Sequence, residues 1–294
     1  MPDVDVVCAA GGSLAYLKYH RHLTHSLLMA PLLALLPVLL VRLASRKPIV
    51  WKMAYLASLA GVASHLALDL TNVYGVRLLL PFSARWMRLD ITSVVDPWIW
   101  AALLLAVIAP ALSRLVGSEM GAPVRPGRTA AALALAFVVL YDGARAAIHQ
   151  RAIEILDSRI YAGSAPGRVA AFPDTFNPFV WRGLVEGAAF QALFHFNVGE
   201  PFDPAAGVIF YRPDAEAAIH VASDTEPFRA FLDFSQYPAW TVTPLSDPPN
   251  GVQVQATDLR FGTPRQPGFR AVAILDSESR VVRSWFSFLG VTPR

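Results

Sequence analysis

Four long apolar stretches occupy the first half of the chain, at residues 26–44, 49–70, 95–116 and 129–149. Each approaches the roughly 20 residues a helix needs to cross a bilayer. The first contains Pro31 and Pro37, which spanning helices tolerate better than soluble ones. The second is marked by the small residues Ala57, Ser58, Ala60, Gly61, Ala63 and Ser64, which let helices approach closely. The fourth ends in Tyr141, Asp142, Arg145 and His149, polar groups expected to face protein or the interface rather than lipid.

Past residue 150 the period shortens. Strand-like runs lie at Arg168–Phe172, Val208–Tyr211, Trp240–Thr243, Val252–Thr257, Phe269–Leu275 and Arg280–Phe288, and residues 252–255 alternate as a half-exposed strand should. Two amphipathic helical stretches, 214–222 and 226–234, fall between them, and residues 276–279 form a turn joining the last two strands. Trp181, Phe194, Phe196, Phe228, Phe231 and Phe234 read as core, and His195 and His220 as structural residues without a partner at ligand spacing. The expected architecture is an α-helical polytopic membrane domain of about four spans over residues 1–150. An α+β extramembrane domain with an antiparallel sheet follows over residues 151–294.

Composition agrees with the pattern. Of 294 residues, 54% are hydrophobic and only 16% charged, against about 25% charged in soluble domains. A net charge of +3 without a Lys/Arg block gives no footprint for nucleic acid. The lone Cys8 excludes an internal disulfide and a cysteine-based zinc site. No basic segment followed by an apolar core marks a signal peptide in the first twenty residues.

Chain direction sorts the polar residues. His20 and His25 precede the first span, His65 and Asp69 close the second, and Asp90 and Asp96 precede the third. The fourth span returns the chain to the same side, so all these groups and the second domain share one membrane face. The opposite loops carry Arg42, Arg46, Lys47 and Lys52, then Arg114, Arg125 and Arg128; the shared face carries Lys18, Arg21, Arg77, Arg85 and Arg88. The positive-inside rule then places the loops in the cytoplasm and the shared face outside, in the periplasm.

Histidines and carboxylates at a membrane boundary are costly to place without a role. His65 and Asp69 are four apart, so on a helix they share one face with about 5–6 Å between Cβ atoms. His20 and His25 suit a turn leading into a helix, and Asp3 and Asp5 an extended or turn segment with converging carboxylates. Imidazole and carboxylate together suit zinc first, then manganese or iron. Asp96 before Pro97 also reads as a helix cap with proline at the first helical position.

An ordered set of motifs carries a resemblance. It comprises Pro2-Asp3-x-Asp5, Tyr19-His20-Arg21-x-x-Thr24-His25-Ser26 and His65-x-x-x-Asp69-x-x-Asn72-x-Tyr74-Gly75, then Pro81-Phe82-Ser83 and Asp96-Pro97. Together they resemble the YdjM-like, LexA-regulated, membrane-bound metal-dependent hydrolases of bacteria. Downstream, Asn177-Pro178-x-x-Trp181-Arg182 and Asp258-Leu259-Arg260-Phe261 resemble the extension of longer members. The resemblance implies metal ligands among His20, His25, His65 and Asp69, with Asp3 and Asp5 contributing. It implies a multi-pass protein of the bacterial inner membrane and a hydrolase, and a more distant likeness to zinc-dependent phospholipase C points to phosphoester bonds. Two departures stand out. His22 replaces the usual glycine and is either an extra ligand or an exposed side chain. The upstream apolar segment with a Thr-His motif is absent, which leads us to expect a true start upstream of Met1.

The expected chemistry follows from the ligand types: a divalent cation acidifies water at the membrane interface, and the water attacks a small-molecule or lipid substrate. Asp96 or Asp90 would serve as general base or as a histidine's partner, and Arg21, Arg77 and Arg88 would meet an anionic substrate or lipid headgroups. The rival reading is a non-catalytic membrane protein with a structural metal site.

Overall fold

A computed structural model describes residues 2–45, 48–119 and 127–288. Arg46, Lys47 and Arg125, invoked above for orientation, lie outside the described residues. The chain opens with a 3-10 helix, Pro2–Gly11, and a short helix α1 (Ser13–Tyr19). Four apolar helices follow: α2 (Ala30–Ala44), α3 (Trp51–Thr71), α4 (Pro97–Glu119) and α5 (Arg128–Asp157). Three of them, α3, α4 and α5, are long and apolar enough to cross a membrane; α2 qualifies only together with residues 13–25, from which it is bent by 90°.

The expected first span is therefore shorter than the apolar run that announced it. Fifteen residues of α2 extend about 22 Å, less than a hydrocarbon core of about 30 Å. Ser26 sets the boundary: its carbonyl accepts Ala30 N–H at 3.2 Å and its hydroxyl accepts Met29 N–H at 3.3 Å. The apolar residues before Ala30 are spent on that turn.

α2 and α3 form a hairpin zipped by Ala30, Ala34, Val62 and Leu66. Small residues at Ala30 and Ala34 bring the backbones together, as expected where lipid supplies no hydrophobic drive for helix association. α4 and α5 form the second hairpin. The last turns of α5 run beyond residue 150 and present Ala152, Ile155 and Leu156 to the extramembrane domain.

That domain contains two four-stranded antiparallel sheets. The first has the order β1 (Arg168–Pro173), β2 (Val180–Glu186), β3 (Phe190–Asn197), β4 (Val208–Tyr211). The second has the order β5 (Pro238–Leu245), β6 (Gly251–Asp258), β7 (Phe269–Leu275), β8 (Val281–Phe288). Helices α6 (Glu216–Ser223) and α7 (Glu226–Phe234) join the sheets and pack on the second. β2 and β3 carry no period-2 signal because consecutive residues, Leu184–Val185 and Ala192–Phe194, are buried on both faces. A seam of Phe172, Leu184, Tyr237, Ala239 and Leu259 joins the two sheets, and Val73 from the membrane half enters it.

Candidate metal centre

The chain's opening residues lie directly against the end of α3. The Asp3 and Asp5 segment is helical rather than extended, because Pro2 pre-sets the first φ and the turn keeps both carboxylates on hand for the histidines. Asp5 is buried, whereas the Asp3 side chain is 51% exposed. After α1, His20 leaves the helix in an extended conformation and Arg21 takes a left-handed one (φ 56°). This kink turns His20, Arg21 and His25 inward, and His25 is fully buried. The left-handed backbone costs about 1–2 kcal/mol; Arg21 N–H holds it by donating to Asp5 Oδ2 at 2.9 Å.

Asp3, His25 and His65 bring ligand atoms within 4.8 Å of one another, and Asp69 adjoins both histidines. His25 Nε2 lies 3.3 Å from Asp3 Oδ1 and 3.4 Å from Asp69 Oδ2, and His65 Nε2 lies 3.3 Å from both Asp3 Oδ2 and Asp69 Oδ2. His25 Nε2, His65 Nε2 and Asp69 Oδ2 are buried and have no hydrogen-bond partner. Orphaned polar atoms of this kind carry a desolvation penalty of about 1–3 kcal/mol each, so three converging on one point call for a ligand. A tetrahedron with ligand distances of about 2.0–2.1 Å has edges of about 3.3–3.4 Å. The donor set and its spacing fit a divalent cation.

A second layer orients these donors. His25 Nδ1 faces Asp5 Oδ2 at 3.2 Å, the carboxylate–histidine pairing that fixes a ligand imidazole's tautomer. Asp5 is fully engaged: His20 Nδ1 meets its Oδ1 at 2.9 Å, while Thr24 and Arg21 N–H donate to Oδ2. Arg21 binds Asp69 Oδ1 at 2.7 Å and donates to Asn72 Oδ1 (3.2 Å) and Gly75 O (3.1 Å), with its guanidinium over the Tyr74 ring. Gly75 sits at φ 84°, and a Cβ there would lie 2.9 Å from Met87 O, so only glycine leaves the Gly75 carbonyl where Arg21 finds it. The imidazoles of His25, then of His65, beside it hold the Asp3 carboxyl far below the usual range. For Asp5, burial pushes upward, but His20, His25 and Thr24 outweigh it and the net shift is well down.

Residues 1–152, which contain all of this, match the family model described as YdjM inner membrane protein. The chain belongs to that family. Residues 217–289, covering α6, α7 and the second sheet, match the YfhP C-terminal alpha/beta plait domain. Among curated proteins, an uncharacterized protein YfhP of Bacillus subtilis is 23% identical over 98% of this chain and 82% of its own length. No solved structure matches.

The remaining expected site residues of this YdjM-family chain are placed as follows. His20 meets Asp5 and stacks on Tyr16 (centroids 4.5 Å apart); with Asp3 and Asp5 it forms a second His/Asp group beside the first. Asp96 caps α4, accepting Trp98 N–H at 3.1 Å and Ile99 N–H at 3.3 Å, and its other oxygen accepts the Tyr141 hydroxyl at 3.1 Å. It shares with Asp69 the wall of a cavity of about 90 Å³ between α3 and α4. Asp90 is buried against Arg88, away from the histidines. Burial pushes its carboxyl up to about 6. The three arginines expected to meet an anionic substrate are each engaged by a carboxylate: Arg21 by Asp69, Arg77 by Asp233 and Arg88 by Asp90. His22 lines a different cavity, with Lys18, Arg77 and Asp233. His220 does have a partner at ligand spacing, Asp224, but the pair stands in solvent with side chains 81% and 74% exposed.

The Asp258–Phe261 motif carried no assigned role, yet its Arg260 is a fully buried guanidinium paired with Asp258. It donates to the carbonyls of Val73, Tyr74 and Phe234 and so clamps the second sheet to the loop that holds Arg21. An Asp and an Arg two residues apart, beside two apolar residues, were the available signal.

Proposed function

We propose that this inner membrane protein is a metal-dependent hydrolase whose ligands are His25, His65, Asp69 and Asp3. The observation that supports it is the convergence of three buried, unpartnered ligand atoms under a half-exposed carboxylate. Zinc fits the donor set first, with manganese or iron as alternatives. A bound cation supplies Lewis acidity, drawing the pKa of water to about 7 and polarising the bond attacked.

The chain's own residues do the rest. Asp5 holds His25, and Arg21 holds Asp69 by one oxygen so that the other faces the histidines. Asp3 and the His65 side chain, 31% exposed, form the open side by which water and substrate enter. Asp96 is the nearby carboxylate for proton handling, through the cavity it shares with Asp69. We assign the site to the periplasmic face, on the strength of Arg42, Lys52, Arg114 and Arg128 at the opposite ends of the helices. The substrate carries an ester-type bond, a lipid or other phosphoester being favoured by the location.

A second reading has its own support: four protein donors are enough to close a tetrahedron, as in structural sites. The test is metal analysis of the detergent-solubilised protein beside His65→Ala and Asp69→Ala, followed by a screen of ester and phosphoester substrates with metal removed and restored. The hydrolase reading expects turnover that follows metal content. Unchanged metal in both variants would overturn the site; metal that only raises the unfolding temperature, with no turnover, would favour the structural role.

A further inference from the structure

The turn between β1 and β2 exposes two phenylalanines in the extramembrane domain, Phe176 at 73% and Phe179 at 52%. Exposed apolar side chains are ordinary when single; the backbone beneath these is not. Every carbonyl from 176 to 179 is occupied. Phe176 O accepts the Trp98 indole N–H at 3.0 Å, Asn177 O accepts Val180 N–H at 3.2 Å, Pro178 O accepts Arg145, and Phe179 O accepts Val198 N–H at 3.0 Å. The amides are equally engaged. Asp174 Oδ1 takes Phe176 and Asn177 N–H at 2.9 Å, Asn177 Oδ1 takes Phe179 N–H at 3.0 Å, and Pro178 has none to satisfy.

A solvent-facing turn has no need of such closure, because water serves its polar groups. Lipid does, because each unsatisfied backbone group there costs several kcal/mol. The surroundings point the same way. Trp98 stands in the first turn of α4, itself 48% exposed, at the position of an interfacial aromatic anchor. Val95, just before α4, and Phe82, in the turn after Leu78 that bonds the entry to α2, are 63% and 87% exposed. Arg145, buried in α5, pins the turn from below through Ile91 O, Pro178 O and the face of Trp181.

We propose that the Asp174–Phe179 turn inserts its two phenylalanines into the headgroup layer of the bilayer, making the extramembrane domain a monotopic partner of the spanning helices. The occupant of this surface is lipid, since the Trp98 indole ties the turn to the first turn of α4, a helix long and apolar enough to cross the bilayer. This stands apart from any metal chemistry.

The test uses the full chain with Cys8→Ser, reconstituted in phosphatidylethanolamine/phosphatidylglycerol vesicles and carrying a nitroxide at Phe176→Cys or Phe179→Cys. Ser277→Cys, in an exposed turn of the second sheet, is the water reference, and Leu105→Cys, outward on α4, the lipid reference. Relaxation by oxygen and by a water-soluble nickel chelate is read for each. The expected result is nickel accessibility at position 176 several-fold below Ser277, with oxygen accessibility towards that of Leu105. Nickel accessibility at the Ser277 level at both positions overturns the proposal. Protection of position 179 alone overturns insertion of the tip, since Phe176 is the more exposed ring.

Discussion

Arg21 grips Asp69 by one carboxylate oxygen at 2.7 Å and leaves the other facing His25 and His65. The guanidinium reaches there through a left-handed residue, a glycine-dependent carbonyl and an aromatic face. In the proposed site this placement makes it a positioning residue for Asp69. Replacing Arg21 by Met should lower zinc affinity about 10–100-fold, the usual effect of losing an outer partner of a ligand. Titration calorimetry on the metal-stripped protein in detergent measures this, and Arg21→Lys should recover part of it. An affinity unchanged in Arg21→Met would detach Arg21 from the site.

Two histidines three residues apart should behave in opposite ways. His25 is fully buried beside Asp3, His65 and Asp69, the ligands proposed above, whereas His22 lines the cavity near Asp233. His25→Ala should leave little metal after purification and dialysis, while His22→Ala should retain the wild-type content. Elemental analysis reads both. Equal loss in the two variants would mean that fold damage rather than ligand loss is being measured.

The sequence was informative wherever one local rule decided the outcome. Apolar length marked α3 and α4 to within a few residues and the start of α5, whose last turns run past the expected end to Asp157, and Asp96-Pro97 announced its cap. It misled where neighbours decide. β2 and β3 are buried on both faces and lack alternation. The His-x-x-x-Asp spacing of His65 and Asp69 recurs at His220 and Asp224, and the two sites differ only in what the rest of the chain brings to them. Asp5 groups with Asp3 and His20, and it is also engaged by Thr24 and the Arg21 backbone, partners that only the kink at Arg21 assembles. Charged residues near a boundary looked free for substrate; the fold gives each arginine a carboxylate.

The Asp258–Arg260 pair is fully buried and ties the second sheet to the Val73–Tyr74 carbonyls. Removing one member of a buried pair strands the other charge, at a cost of about 3–5 kcal/mol. Asp258→Ala should therefore unfold at lower temperature or lower denaturant by that amount, measured in detergent by the loss of sheet signal. Arg260→Met strands the Asp258 charge in the same way and also frees the carbonyls of Val73, Tyr74 and Phe234, so it should cost at least as much and loosen the Arg21 loop. A neutral Asp258→Ala would show that water reaches the guanidinium.

Asp90 gives the pH dependence its sign. Its carboxyl is pushed up to about 6 by burial, with Arg88 opposing. An acid whose pKa is higher folded than unfolded binds more protons in the native state between the two values, so stability falls as pH rises through that window. From an unfolded value of about 3.9, the loss runs from about pH 4 to about pH 6 and is complete above it. A shift of about two units corresponds to about 3 kcal/mol at most. Asp3 and Asp5 act in the other direction: both lie below their unfolded values, so their contribution is present at neutral pH and is lost only in acid below about pH 4. The metal-free protein should thus be most stable near pH 4–5, between the two effects. Asn fits the left-handed backbone at this position (φ 57°). In Asp90→Asn the decline between pH 4 and 6 should disappear while the acid limb stays. Thermal unfolding of both proteins across pH 3–8 decides it, and an unaltered slope in Asp90→Asn would move the titrating group elsewhere.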